Sequence, residues 1–173
     1  MQQHKNSLLS QSRIIACSKK VDKLSQFYCL SGSEESIFLH QKKKEPVKTI
    51  IKTDHAPAAL GPYSQGVSVN SGTVIYCSGQ IALDPSTQKL SGDNAADQCR
   101  QVMKNLGAIL AEAEADFSNV VKTTICLTDM NDFGDVNEVY GEFFNDAPPT
   151  RATIEVSRLP KDALVEIDAI AVV

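Results

Sequence analysis

The chain has 173 residues, 42% hydrophobic and 22% charged, with a formal net charge of −4. That is enough for one domain and a short appendage, in the ordinary range of a soluble globular protein. The acidic balance offers no global field to draw it to nucleic acid or an anionic membrane, and no apolar run approaches the roughly 20 residues that cross a bilayer.

The first segment, Met1 to about Pro46, differs from the rest. It has no acidic residue before Asp22, and Lys5, Arg13, Lys19 and Lys20 are interspersed with Ser7, Ser10, Ser12 and Ser18. Such a basic, Ser-rich, acid-poor start fits either a transit peptide or an extension without an address. Further on, Glu34, Glu35 and Lys42 to Lys44 resemble a solvated linker, and Pro46 marks the expected boundary. Residues 47–173 then form the domain.

Val47 to Lys52 is β-prone. Ala56 to Ser64 reads as loop, with Pro57 and Gly61-Pro62 as breakers. Gln65 to Asn70 and Thr73 to Ile81 read as strands, and Ser71-Gly72 between them is a hairpin signal. Asp84 to Thr87 is turn chemistry. Cys99, Val102, Met103, Leu106, Ile109, Leu110 and Ala113 then repeat at three and four, the apolar stripe of a helix capped by Asp93 or Asn94. Val120 to Asp129 alternates as a strand. Asn131 or Asp132 caps a second helix with a stripe of Phe133, Val136, Val139 or Tyr140, Phe143 and Phe144. Pro148 and Pro149 cannot continue it.

The last stretch alternates twice, over Thr150–Ser157 and Leu164–Val173, around the turn-like Leu159-Pro160-Lys161-Asp162. This predicts a β-hairpin. Ala152, Ile154 and Val156 would face the core with Val165, Ile167, Ala169 and Ala171. Arg151 and Glu166 would then share the opposite face. The order is β-β-β-α-β-α-β-β, with both helices packed on a mixed sheet of about six strands.

No Gly-rich phosphate loop, paired-His metal motif or nucleophile elbow is present. The five cysteines are odd in number and form no C-x-x-C pair, which points to reduced thiols of an intracellular protein. His4, His40 and His55 are too scattered for a metal site, and no cofactor is implied. Cys99 and Met103 belong to the helix stripe and read as core. Arg151 follows a rigid Pro-Pro segment, and its planar fork of donors suits a carboxylate. A surface salt bridge is the plainer reading of its position alone. Glu166 interrupts an otherwise aliphatic strand; it would serve water or pair with Arg158 or Lys161. Tyr63 is a loop aromatic with a usable hydroxyl. Gly79 permits close backbone approach to a ligand.

Four blocks carry a resemblance: PPTRATIEVSRLP from Pro148 with VEI at Val165, APAALGPYSQGV from Ala56, SGQIALDPSTQK from Ser78, and VVKTTICLTDMNDFGDVNEVYGEFF from Val120. Together they resemble the RidA (YjgF) family of reactive-intermediate deaminases over about Val47 to Val173. The resemblance implies a chorismate-mutase-like α+β fold and a homotrimer with active sites in clefts between subunits. It implies cofactor-free hydrolysis of 2-aminoacrylate- and 2-aminocrotonate-type enamines and imines to 2-keto acids and ammonia. Arg151 would bind the substrate carboxylate, Glu166 would position water, and Tyr63 would line the cleft. Gly79 would contact the ligand through its backbone, and the amide of Thr153 could bind the carboxylate.

Thr153 stands where many relatives have cysteine, which argues against obligatory thiol chemistry there. Pro148 replaces a common aromatic and leaves the substrate range open. Two other readings share the resemblance: a keto-acid-binding regulatory trimer without turnover, and an endoribonuclease or translation inhibitor. The acidic charge and the lack of a basic patch with interleaved aromatics weigh against nucleic acid. The compartment is cytoplasmic, or mitochondrial or plastid if the extension is a presequence.

Overall fold

The computed structural model describes residues 47–144 and 147–173. The extension, with its transit-peptide reading and Cys17 and Cys29, lies outside the described residues. The elements are β1 (Lys48–Ile51), β2 (Gly66–Val69), β3 (Val74–Gln80), α1 (Ala95–Glu112), β4 (Val120–Leu127), α2 (Phe133–Gly141), β5 (Thr150–Glu155) and β6 (Val165–Val172). This is the α+β succession expected, with six strands and two helices. Among the described residues, no helix is long and apolar enough to cross a membrane.

The strands divide into two sheets. β1 and β2 form an antiparallel ribbon, and the other four form a sheet in the order β3-β6-β4-β5. β6 runs antiparallel to both β3 and β4, while β4 and β5 are parallel. Two expected hairpins are therefore absent. β2 pairs with β1 rather than β3, and β4 separates β5 from β6. The reason lies in the β4–α2–β5 unit. A helix between two strands carries the chain back to the same end of the sheet, so β5 docks parallel to β4. β6 then fills the other side of β4. Its Val165, Ile167, Ala169 and Ala171 are buried, as a central strand under helices requires.

Five of the seven residues predicted for the α1 stripe, Cys99, Val102, Met103, Leu106 and Leu110, are fully buried against that sheet, while Ile109 is exposed and Ala113 only partly covered. Burying leucines such as Leu106 and Leu110 contributes about 1.5–3 kcal/mol each. Asn94 is the N-cap, its side chain accepting the Asp97 amide at 2.9 Å. Cys99 is a core thiol, with its pKa pushed up to about 12 by burial. Lys48 ties the β1–β2 ribbon to the main body. Its Nζ donates to the carbonyls of Val120 at 2.7 Å and Ala147 at 2.8 Å.

Both helices cover one face of the four-stranded sheet, and the other face is open. Tyr76 (77% exposed), Val74 and Ile154 (both 47%) stand on that open face beside Glu166 and Asp168. Such an apolar surface on one side of a sheet calls for a cover.

Candidate active site

Register decides which side chains share a face. Thr123 is opposite Arg151 on one side and Ala169 on the other, so all three project toward the helices. Cys126 is likewise flanked by Ile154 and Glu166, which project to the open face. Arg151 and Glu166 therefore lie on opposite faces of the sheet, which corrects the shared face expected from the hairpin. The core assignment of Ala152 and Ile154 is reversed as well: both are exposed, and the polar row of β5 turns toward the helices.

On the helix side, the half-buried guanidinium of Arg151 sits among three rings. Its Cζ lies 5.3 Å from the ring centroid of Tyr63, 5.6 Å from that of Phe133 and 5.3 Å from that of Tyr140, all within cation–π range. Nη1 donates to Asn137 Oδ1 at 2.6 Å. Phe133, Asn137 and Tyr140 follow one another on α2 at spacings of four and three, one face of the helix. No carboxylate among the described residues pairs with Arg151. Burial lowers its pKa from the ordinary guanidinium value, countered only by the Tyr140 and Tyr63 phenols. A cation held this way, with donors of its fork not engaged by Asn137, has the geometry to receive a planar anion.

Tyr63 reaches this cluster because its loop is pinned at the neighbouring Ser64. The buried Ser64 donates from its amide to Pro149 O at 2.9 Å and from its hydroxyl to Pro148 O at 2.5 Å. The turn before Tyr63 uses Gly61 at φ +115°, and Gly61 approaches both Asn137 and Arg151. The Tyr63 hydroxyl accepts the Leu60 amide at 3.4 Å. Tyr63 and Pro148 also border a cavity of about 250 Å³ whose wall includes Ile50, Ile51, Ala58 and Ala59.

Thr153 lies two residues beyond Arg151 on the same face. The Val156 amide donates to Leu127 O on β4. Strand alternation therefore turns the Thr153 amide the other way, to the free edge of the sheet. Its hydroxyl is buried and has no hydrogen-bond partner. An orphaned buried hydroxyl costs about 1–3 kcal/mol. Thr153→Val should accordingly raise the unfolding free energy by about 1 kcal/mol, read as a higher urea midpoint at unchanged slope. A lower midpoint would mean that the hydroxyl finds a partner in the assembled protein.

Gly79 belongs with Glu166, not with Arg151. It lies where the β3–β6 register shifts, between Cys77 and Gln80. The Glu166 side chain passes over it so closely that a Cβ at Gly79 would meet the carboxylate. The residues expected to form one site thus fall into two clusters within a chain: Arg151, Tyr63 and Thr153 on the helix side, Gly79 and Glu166 on the open face. Phe133 and Asn137 are additions that the sequence reading missed. Their signal was a polar residue set between aromatics in the α2 stripe. Among the described residues, no group of three or more His, Cys, Asp or Glu is placed to hold a metal ion.

Residues 53–173 match the family described as Endoribonuclease L-PSP. The chain is 54% identical to Protein DfrA of Myxococcus xanthus over 122 residues, covering 70% of this chain and 93% of that protein. It is 51% identical to the 2-iminobutanoate/2-iminopropanoate deaminase of Mus musculus over 126 residues, covering 73% of this chain and 92% of that one. Among solved structures, E. coli TdcF with bound serine is similar at TM-score 0.56 and 41% identity, over 72% of this chain and 98% of that chain.

Proposed function

Because the chain belongs to the endoribonuclease L-PSP family, the family of RidA and YjgF, we propose that it hydrolyses 2-imino acids such as 2-iminobutanoate and 2-iminopropanoate. The products are a 2-keto acid and ammonia. The observation that carries this reading is the Arg151 guanidinium, half-buried among Tyr63, Phe133 and Tyr140 with no carboxylate partner. A substrate carboxylate completes it. The serine bound to TdcF and the deaminase name of the mouse relative support a small amino-acid-like ligand.

The chemistry follows from the charges. Enamines such as 2-aminoacrylate tautomerise to the imine, whose C=N carbon is electrophilic. Arg151 clamps the neighbouring carboxylate through donors not engaged by Asn137, and the Thr153 amide adds a further donor. Orientation of this kind supplies much of an enzyme's advantage. Water held by a general base adds to the C=N carbon, giving a carbinolamine. Collapse of that species expels ammonia and leaves the keto acid. Glu166 is the base in this reading. Since it lies on the other face of its own sheet, it reaches Arg151 only from a second copy of the chain.

We therefore also propose a homotrimer, in which neighbouring copies cover the open face carrying Tyr76, Val74 and Ile154, and each cleft, at the β5 edge, takes Arg151 from one copy and Glu166 from the next. The extension up to Pro46 stands outside that catalytic domain. A protein beginning at Val47 should sediment as a trimer at micromolar concentration and unfold cooperatively. A monomer would refute the shared cleft.

The function itself is tested by coupling the protein to a dehydratase that releases 2-aminoacrylate and following ammonia or pyruvate. Release no faster than spontaneous hydrolysis would leave a keto-acid binder. RNA cleavage abolished by Arg151→Ala would instead favour the endoribonuclease reading, against which the net charge of −4 stands.

A further inference from the structure

We infer that Thr123 and Tyr140 act as a positioning pair for Arg151, fixing the ring face on which the guanidinium rests and hence the direction of the carboxylate clamp. The inference rests on the reading of Arg151 as that clamp.

Thr123 Oγ1 and the Tyr140 hydroxyl are 2.8 Å apart, and both residues are almost wholly inaccessible to solvent. A phenylalanine at position 140 with a valine at position 123 would fill the same volume without burying two polar groups. Buried hydroxyls are costly unless paired, and a satisfied pair gains little over an apolar one. The pair therefore needs a reason other than stability, and its placement supplies one. Thr123 is the register partner of Arg151 across β4 and β5. Tyr140 lies on α2, one turn beyond the Asn137 that holds Nη1. The two hydroxyls thus close a ring of contacts. It runs from the Arg151 guanidinium to the Tyr140 face, from the Tyr140 hydroxyl to Thr123, and across the strand pair back to Arg151.

Phe144 packs against the Tyr140 ring at a centroid distance of 4.7 Å, with the two planes 41° apart. Burial pushes the Tyr140 pKa up to about 12. The hydroxyl therefore stays neutral, and its part is orientation rather than proton transfer.

The test uses Tyr140→Phe, Thr123→Val, the double variant, Thr123→Ser and, as reference, Arg151→Ala. Affinity is read as the dissociation constant of 2-oxobutanoate by calorimetry, turnover at saturating imine, and stability as Tm. The two single variants and the double variant should weaken affinity about threefold to tenfold, with turnover kept within about twofold. Each single variant orphans one hydroxyl and should lower Tm; the double should regain it. Thr123→Ser should restore affinity. If the double variant recovers affinity together with Tm, the pair serves the fold alone and the inference is overturned. Loss of turnover at unchanged affinity overturns it as well. If Arg151→Ala also binds 2-oxobutanoate normally, it is the clamp reading that fails.

Discussion

Arg151→Ala should lower kcat/KM for 2-iminopropanoate by roughly 30-fold to a few thousand-fold. Removing one member of a desolvated charge pair costs about 2–5 kcal/mol, and each 1.4 kcal/mol is about tenfold. The guanidinium qualifies because burial already lowers its pKa and no carboxylate among the described residues pairs with it. In the proposed mechanism the substrate carboxylate is the missing partner, so truncation removes a charge that nothing nearby replaces. Arg151→Lys keeps the charge but loses the fork and the stacking on Tyr63, Phe133 and Tyr140. It should recover only part of the loss. The fold should tolerate both changes, because β5 is an edge strand and Arg151 is not itself part of the hydrophobic core, which it borders at the Tyr140 ring. Wild-type turnover by a folded Arg151→Ala protein would remove this cluster from the active site.

What the sequence made legible was local. The α1 stripe and its Asn94 cap depend on neighbours within a few residues, so periodicity is enough to find them. β5 shows where that reasoning stops. Period two separates Arg151 and Thr153 from Ala152 and Ile154 correctly, but it does not say which set is covered. Apolar residues were assigned to the core, as hydrophobicity usually warrants. Here Ile154 lies on the open face, where only another polypeptide would bury it. The polar set turns toward α2 because the helix brings Asn137 to Arg151, a match between distant segments that no local pattern encodes. The same limit misled the hairpin readings. Adjacent strands with a turn between them look paired, yet the β4–α2–β5 crossover takes β5 to the far side of β4. The candidate site residues were named through motif resemblance. Their distribution over two faces, on which the proposed shared cleft rests, became visible only from register.

Gly79→Ala should behave as a disguised Glu166 variant. A Cβ there would lie 2.9 Å from Glu166 Cδ and 3.1 Å from its Cγ, and closer still to the carboxylate oxygen. Those atoms end a flexible side chain, so the carboxylate swings away while the strands hold. If Glu166 is the base, losing its position should lower kcat about 100-fold or more, the lower bound of what general base catalysis supplies. Glu166→Gln, which keeps the volume but not the basicity, should fall by a similar factor. In both, the affinity for 2-oxobutanoate should stay within about threefold, since the ligand carboxylate is held by Arg151, whose own contacts with Tyr63, Phe133, Tyr140 and Asn137 involve neither Gly79 nor Glu166. The two positions must also be non-additive. Once Glu166 is alanine the clash is gone, so adding Gly79→Ala to Glu166→Ala should cost almost nothing more. Full kcat in Gly79→Ala would show that the carboxylate can move without consequence, and Glu166 would then not be the base. A further large loss in the double variant would show instead that Gly79 itself, through its backbone, meets the ligand.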